Sequence, residues 1–217
     1  MHTFNFDLLK IKNFYFLFGV SFFLLILNYI TQISFSGEQI YFNTYADKLS
    51  TERIQSLYQN SKKWEWLGYF LLPLFYLFKI ICVTFCLTTA SLLNVEKGNF
   101  KANFNVSLKA DYIFIIMMLV RFIWLKSFKE INNLTDLGYI PGSILNLFNI
   151  ENIPKWIIYP LQICNIWEVL YCLIGTSMYS IQFGVSKKVA ACQFCIPYLI
   201  GLFIWVLVVV FLTLQFT

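Results

Sequence analysis

Long apolar stretches of the sequence contain charged residues, among them Lys79, Arg121 and Glu168. A charge near the centre of a bilayer costs on the order of 2.5–3.5 kcal/mol on insertion scales, so each such residue needs a partner or a function. Lys79 lies 13 residues after Trp66, and Glu168 lies 12 residues after Trp156. At a constant helical rise, both charges then lie at similar depth. The spacing predicts an ion pair between Lys79 and Glu168.

The charges have two interpretations. They could fix the packing of the helices, or they could line a proton or ion pathway together with Arg121. No chain of further ionisable residues continues from Lys79 and Glu168, which favours the packing interpretation. The Arg121 side chain is expected to extend to the outer interface, where Lys126 and Lys129 continue a basic face. Asp111, at the other end of that helix, is expected at the opposite interface.

Six cysteines raise the alternative of thiol or metal chemistry. Cys82 and Cys86 are spaced to share a helix face, and Cys192 and Cys195 have the spacing of a dithiol motif. All six fall in apolar stretches, however, where cysteine behaves as a small apolar residue. His2 is the one histidine, and the sequence has no phosphate loop, HExxH helix or nucleophile elbow. We predict a protein that is not an enzyme and that binds no cofactor or metal.

The elements that carry these residues are apolar stretches long enough for membrane helices, which need roughly 20 residues. They run over residues 14–33, 66–93, 112–128, 156–183 and 189–214. Hydrophobic residues make up 59% of the chain and charged residues only 12%, against about 25% charged residues in soluble domains. We predict an all-α integral membrane protein, with about five transmembrane helices in one membrane domain over residues 1–217. The first stretch also has the pattern of a signal peptide, but its length favours a retained helix.

Two longer connections have features of their own. Residues 35–65 are polar, and Ser50-Thr51-Glu52 within them is typical of a helix start. An apolar stripe of Leu49, Ile54, Leu57 and Tyr58 then predicts a short extracytoplasmic surface helix. Residues 129–155 contain the apolar segment 143–148. That segment predicts an interfacial or re-entrant helix, whose backbone must be covered by protein.

The orientation follows from basic residues in the connections. The lysines expected in the cytoplasm are Lys10, Lys12, Lys97, Lys101, Lys109, Lys187 and Lys188. We expect a cytoplasmic N-terminus and an extracytoplasmic C-terminus, in a cell membrane and specifically a bacterial inner membrane. The net charge of +5 is spread over the connections, which argues against nucleic acid as a partner. The expected partners are the lipid bilayer and other membrane protein subunits, docking on the outer face of segments 35–65 and 129–155.

The C-terminal two thirds of the chain resemble the Yip1-like family of five-span membrane proteins. The residues that carry the resemblance are the segment 165–170 (NIWEVL), Gly175, the turn 186–190 (SKKVA) and the segment 97–104 (KGNFKANF). It covers residues 66–214, and both long connections depart from it. The resemblance implies a non-catalytic organiser or accessory subunit, with no catalytic residues to transfer.

The predicted function is therefore a non-catalytic multi-pass membrane protein that acts as an accessory or scaffold subunit of a membrane complex. One alternative is a small transporter or permease subunit that uses Lys79, Glu168 and Arg121. Proline residues in its spans (Pro73, Pro160 and Pro197) would supply broken helices. A membrane-embedded enzyme is the remaining alternative.

Overall fold

The computed structural model describes residues 7–35, 37–93, 99–127, 131–150 and 153–216. In these ranges the regular structure is helical, apart from an isolated bridge between Ser143 and Asn165. The all-α class predicted from the sequence is confirmed. His2, Lys129 and the turn at 94–98 with Lys97 lie outside the described residues.

The α-helices whose two ends both lie within the described residues follow one another along the chain, with two such 3₁₀ helices between the fifth and the sixth. They are α1 (Asn13–Phe35), α2 (Glu38–Tyr45), α3 (Thr51–Leu93), α4 (Phe100–Ala110), α5 (Tyr112–Ser127), α6 (Lys155–Ile163), α7 (Ile166–Phe183) and α8 (Lys187–Phe216). The 3₁₀ helices cover Leu134–Gly138 and Ile144–Leu147.

Three of these helices, α1, α3 and α8, are long and apolar enough to cross a membrane. No more than 22% of the most apolar part of any of them is buried inside the protein. Apolar surface left in water costs roughly 25 cal/mol per Å², and lipid removes that cost. The chain is therefore a transmembrane protein, as its composition predicts.

Helix α3 is one continuous helix of 43 residues, about 65 Å long, or twice the roughly 30 Å of a bilayer's hydrocarbon core. It begins at Thr51, as the Ser50-Thr51-Glu52 pattern predicts. The predicted surface helix after Thr51 is not a separate element, because the chain continues without a break into the apolar part. Ile54 is buried, whereas Leu57 is exposed. The short separate helix of this segment is α2, which contacts α3 through a 3.0 Å hydrogen bond from the Tyr41 hydroxyl to Ser61 Oγ.

The third apolar segment begins earlier than predicted. Helix α4 starts at Phe100, where the Asn99 side chain caps it by accepting a hydrogen bond from the Ala102 amide. Asp111 alone separates α4 from α5, and its backbone stays in the right-handed helical region. Residues 100–110, expected as part of a cytoplasmic loop, therefore extend the helix of the third segment.

Buried polar residues of α4 donate hydrogen bonds to neighbouring parts of the chain. Asn103 Nδ2 donates to Thr88 Oγ1 and to Ser91 Oγ on α3, at 3.1 and 3.2 Å. Lys109 was expected as a loop base, but it is fully buried, and its ammonium donates to the Leu9 carbonyl at 2.8 Å and to that of Ile11. These bonds fasten the segment before α1 to the helix bundle.

The fourth apolar segment is interrupted rather than continuous. Helix α6 ends at Ile163 and α7 begins at Ile166, with the Asn165 side chain accepting a hydrogen bond from the Glu168 amide as the N-cap of α7. The break lies after Pro160, whereas α3 and α8 continue through Pro73 and Pro197. Of the three prolines, only the one in the fourth segment is thus accompanied by a broken helix.

The connection between α5 and α6 folds against this break. The Ile144 amide donates to the Cys164 carbonyl at 2.9 Å, and the Ile166 amide donates to the Gly142 carbonyl at 3.2 Å. Trp167 Nε1 donates to the Pro141 carbonyl at 2.7 Å. The loop therefore supplies partners for backbone groups that the interrupted helix leaves without intrahelical bonds.

The densest packing lies where α3, α4, α7 and α8 meet. Gly175 on α7 faces the ring of Phe194 on α8 so closely that a Cβ at position 175 would lie 2.1 Å from ring carbons. A side chain at residue 175 would push the two helices apart. This contact sets the distance between α7 and α8.

Candidate functional site in the helix core

The candidate site is a group of charged and tyrosine residues between the four packed helices. We call Lys79, Asp111, Glu168, Tyr171 and Tyr198 the core charge cluster. Lys79 comes from α3 and Asp111 from the junction of α4 and α5, whereas Glu168 and Tyr171 lie on α7 and Tyr198 on α8. The cluster thus joins elements that are far apart in the sequence.

Lys79 pairs with Asp111 rather than with Glu168. The Lys79 ammonium lies 2.7 Å from Asp111 Oδ1, within a charge-assisted hydrogen bond. The Asp111 side chain is only 2% exposed, while that of Lys79 is 38% exposed. The sequence prediction of a Lys79–Glu168 pair is therefore wrong in its partner. Asp111, expected at a membrane interface, is buried inside the helix bundle.

Aromatic rings complete the surroundings of the Lys79 ammonium. Its Nζ lies 3.6 Å from the ring centroid of Phe114 and 5.7 Å from that of Tyr171. Both distances are within the range of cation–π attraction. Since Phe114 and Asp111 are three residues apart, one turn of helix presents both a carboxylate and a ring to the same cation.

Glu168 has a partner of its own. The Tyr198 hydroxyl donates a hydrogen bond to Glu168 Oε2, and Tyr198 is 4% exposed. The rings of Tyr198 and Tyr171 pack with centroids 4.7 Å apart. Tyr171 thereby contacts both halves of the cluster, one centred on Lys79 and one on Glu168.

The arrangement gives each of the three charges a specific partner. A buried ion is strongly destabilising when it is alone, and its cost falls when a counter-charge and hydrogen bonds surround it. Lys79 and Asp111 neutralise each other, and Glu168 receives a hydroxyl proton. The Lys79–Asp111 and Tyr198–Glu168 contacts therefore connect α3 to the junction of α4 and α5, and α7 to α8.

Comparisons of the chain with models of protein families, with curated proteins and with solved structures found no match. What the residues do is therefore argued from their geometry.

Arg121, the third charged residue singled out in the sequence, lies elsewhere. It is ten residues beyond Asp111, about 15 Å along the helix axis. Its Nη2 donates to the Leu137 carbonyl, and its Nε is buried without a hydrogen-bond partner among the described residues. The guanidinium therefore turns towards the first 3₁₀ helix, where it lines a cavity. Its extension to the outer interface stays a prediction.

The sequence contains a pattern that indicates the burial of Asp111. The pattern is visible only if the helix begins at Phe100 rather than at Tyr112. Asn103, Ser107 and Asp111 are spaced four residues apart, so they lie on one face of a helix that begins at Phe100. All three are buried. A polar stripe on the buried face of a helix indicates contacts with polar groups of other parts of the protein.

Five of the cysteines lie in helices as the sequence predicts, whereas Cys164 lies in the break between α6 and α7. All six are free thiols. Cys195 contacts α7, with its Sγ 3.3 Å from Thr176 Oγ1 and 3.8 Å from the Cys172 carbonyl. In the described part of the chain, no three His, Cys, Asp or Glu side chains come together as a metal site.

Proposed function

We propose that this protein is a non-catalytic, multi-pass membrane protein that serves as an accessory or scaffold subunit of a membrane complex. The observation that carries the proposal is the core charge cluster, in which Lys79 binds Asp111 and Tyr198 binds Glu168. Ionisable groups that are bound to one another stabilise a fixed arrangement of helices. A rigid body of this kind can present its outer surface to partners.

We further propose that the chain crosses the membrane five times with a cytoplasmic N-terminus. The helices α4 and α5 together extend over residues 100–127, and α6 with α7 over residues 155–183. Each pair is about 40 Å long at helical rise, enough for the hydrocarbon core even with a tilt. The resemblance to Yip1-like five-span proteins supports the same count and the same kind of function.

The connection between α5 and α6 is where we propose that a partner subunit docks. Leu147 and Phe148 are 81% and 54% exposed there, while neighbouring Leu145 is buried. Two exposed apolar side chains on a 3₁₀ turn supply the apolar centre that protein interfaces use. The turn is held by hydrogen bonds to the fourth segment, so it offers a preformed surface.

The proposal is tested by site-specific crosslinking in the native membrane. A photo-reactive residue at position 147 should form one discrete adduct with another membrane protein, and the same residue at buried position 145 should not. The adduct should co-purify as a complex in a mild detergent. A monodisperse monomer without adducts from position 147 would contradict the proposal.

A second candidate, a small transporter, is favoured by one observation. The fourth segment is interrupted at Cys164 and Asn165, directly before Glu168 of the core charge cluster. Broken helices beside intramembrane charges are typical of transporter binding sites. Proton-coupled flux in proteoliposomes that is abolished by both Glu168→Gln and Tyr198→Phe would support this function. Unchanged flux in both variants would exclude a pathway through the pair.

A further inference from the structure

A cavity of about 260 Å³ lies at the end of α1 that is farther from the N-terminus. It is lined by residues of α1, α2, α5 and the first 3₁₀ helix. Its polar lining residues include Asn28, Thr31, Gln32 and Tyr41, and its charged lining residue is Arg121. Since α1 is one of the three helices that can cross a membrane, its end marks the zone where lipid headgroups lie.

The Arg121 guanidinium is placed to bind an anion in this cavity. Arginine has five N–H donors, and the Leu137 carbonyl accepts a bond from Nη2. The buried Nε has no acceptor among the described residues, and no carboxylate in that part of the chain forms an ion pair with Arg121. A buried N–H without an acceptor costs about 1–3 kcal/mol or more for a charged group, which a bound oxyanion would recover.

Other lining groups extend the same chemistry. The Gln32 side-chain carbonyl accepts the Tyr69 hydroxyl hydrogen, which turns the side-chain oxygen of Gln32 towards α3. Asn28 lies one helical turn before Gln32 on the same face of α1. The remaining walls include the apolar side chains of Phe35, Ile40 and Leu137. A guanidinium and polar side chains beside apolar walls match a phosphate group that is attached to an apolar molecule.

We propose that this cavity binds a phosphate group, with Arg121 as its main ligand, and that the phosphate is the headgroup phosphate of an anionic phospholipid. The guanidinium matches the geometry of phosphate oxygens and pairs with them through two hydrogen bonds. The cavity's position at the end of a membrane helix places such a lipid with its acyl chains along α1. The site is independent of the partner-docking function proposed above.

The test uses the full-length protein in a neutral detergent, with thermal stability measured during titration with three probes. Dioleoylphosphatidylglycerol carries both phosphate and acyl chains, dioleoylglycerol lacks the phosphate, and inorganic phosphate lacks the chains. The phospholipid alone should give a saturable rise in the midpoint of thermal unfolding. An equal rise with dioleoylglycerol, or a rise with inorganic phosphate and none with the phospholipid, overturns the proposal.

Substitutions locate the site. Arg121→Gln should weaken phospholipid binding by about 10- to 100-fold, from the loss of charge-assisted hydrogen bonds. Lys126→Gln, which removes a charge from the same helix but lies outside the cavity lining, should leave the affinity within about twofold. If Arg121→Gln does not fold, Ile40→Trp fills the cavity while keeping the guanidinium and should abolish the rise. Undiminished binding in Ile40→Trp overturns the proposal.

Discussion

Removing either member of the Lys79–Asp111 pair should destabilise the protein, but by different amounts. Lys79→Met leaves Asp111, whose side chain is only 2% exposed, without its counter-ion. Breaking a buried pair in this way costs about 3–5 kcal/mol. Asp111→Asn instead leaves an ammonium that is 38% exposed and that retains the Phe114 ring at 3.6 Å. Solvent screening and cation–π attraction reduce this cost to about 1–2 kcal/mol.

The double variant Lys79→Met with Asp111→Leu should be more stable than Lys79→Met alone. Replacing both ions of a buried pair by apolar residues of similar volume is often neutral or even stabilising. A double-mutant cycle with the single variants Lys79→Met and Asp111→Leu should therefore give a coupling free energy of at least about 2 kcal/mol. A coupling near zero would show that the two side chains lie together without depending on each other.

The measurement is thermal unfolding in a mild detergent, followed by tryptophan fluorescence. For chains of about this length, 1 kcal/mol corresponds to roughly 2–4 °C. Lys79→Met should then lower the midpoint by about 6–20 °C, and Lys101→Met, at an exposed position on α4, should change it by less than about 2 °C. Equal losses for Lys79→Met and Asp111→Asn would refute the reasoning. So would restoration of stability by the swap of Lys79→Glu with Glu168→Lys.

Three further predictions concern packing, capping and the N-terminal segment. Gly175→Ala should cost about 1–3 kcal/mol, because its Cβ overlaps the Phe194 ring; Gly19→Ala, in open space on α1, should not lower the melting midpoint. Asn165→Ala should cost about 1–2 kcal/mol in the same assay through loss of the α7 cap, and Asn165→Ser, which keeps an acceptor, should recover most of it. Lys109→Met removes the hydrogen bonds to the segment before α1, so hydrogen exchange of the amides at residues 7–12 should accelerate about tenfold. Unchanged exchange there would mean that other contacts hold the segment.

The coarse architecture could be predicted because hydropathy alone determines it. The stretches 14–33, 66–93 and 189–214 correspond to parts of α1, α3 and α8. The helix start at Thr51 could also be predicted, because a cap residue followed by an acidic residue in the first turn is a local signal. Both features depend only on neighbouring residues.

The partners of the charges could not be predicted from the same information. Matching depth indicated that Glu168 could meet Lys79, but depth does not fix the rotation of one helix about its axis. Asp111 looked interfacial because the polar residues of α4 resemble a loop. Their burial depends on Thr88 and Ser91 of another helix, and such tertiary contacts are absent from local patterns.

The break between α6 and α7 in the fourth segment could not be predicted from the sequence either. Pro160 suggested a weak point, yet Pro73 and Pro197 suggest the same and leave their helices continuous. What distinguishes the fourth segment is a loop more than 15 residues earlier that bonds to its backbone. The prediction of a short apolar helix in that loop was nearer the structure, since a 3₁₀ helix covers Ile144–Leu147.

Helix α3 is unbroken, so it connects α2 rigidly to the helix core. Its first turns carry α2 through Tyr41 and Ser61, and its later turns carry Lys79 into the core. Each residue of a helix turns the chain by about 100°. One alanine inserted between these points would therefore rotate α2 by more than a quarter turn relative to the core, without touching either contact directly. The number of residues between the two contacts therefore sets the angle about the α3 axis at which α2 lies relative to the core.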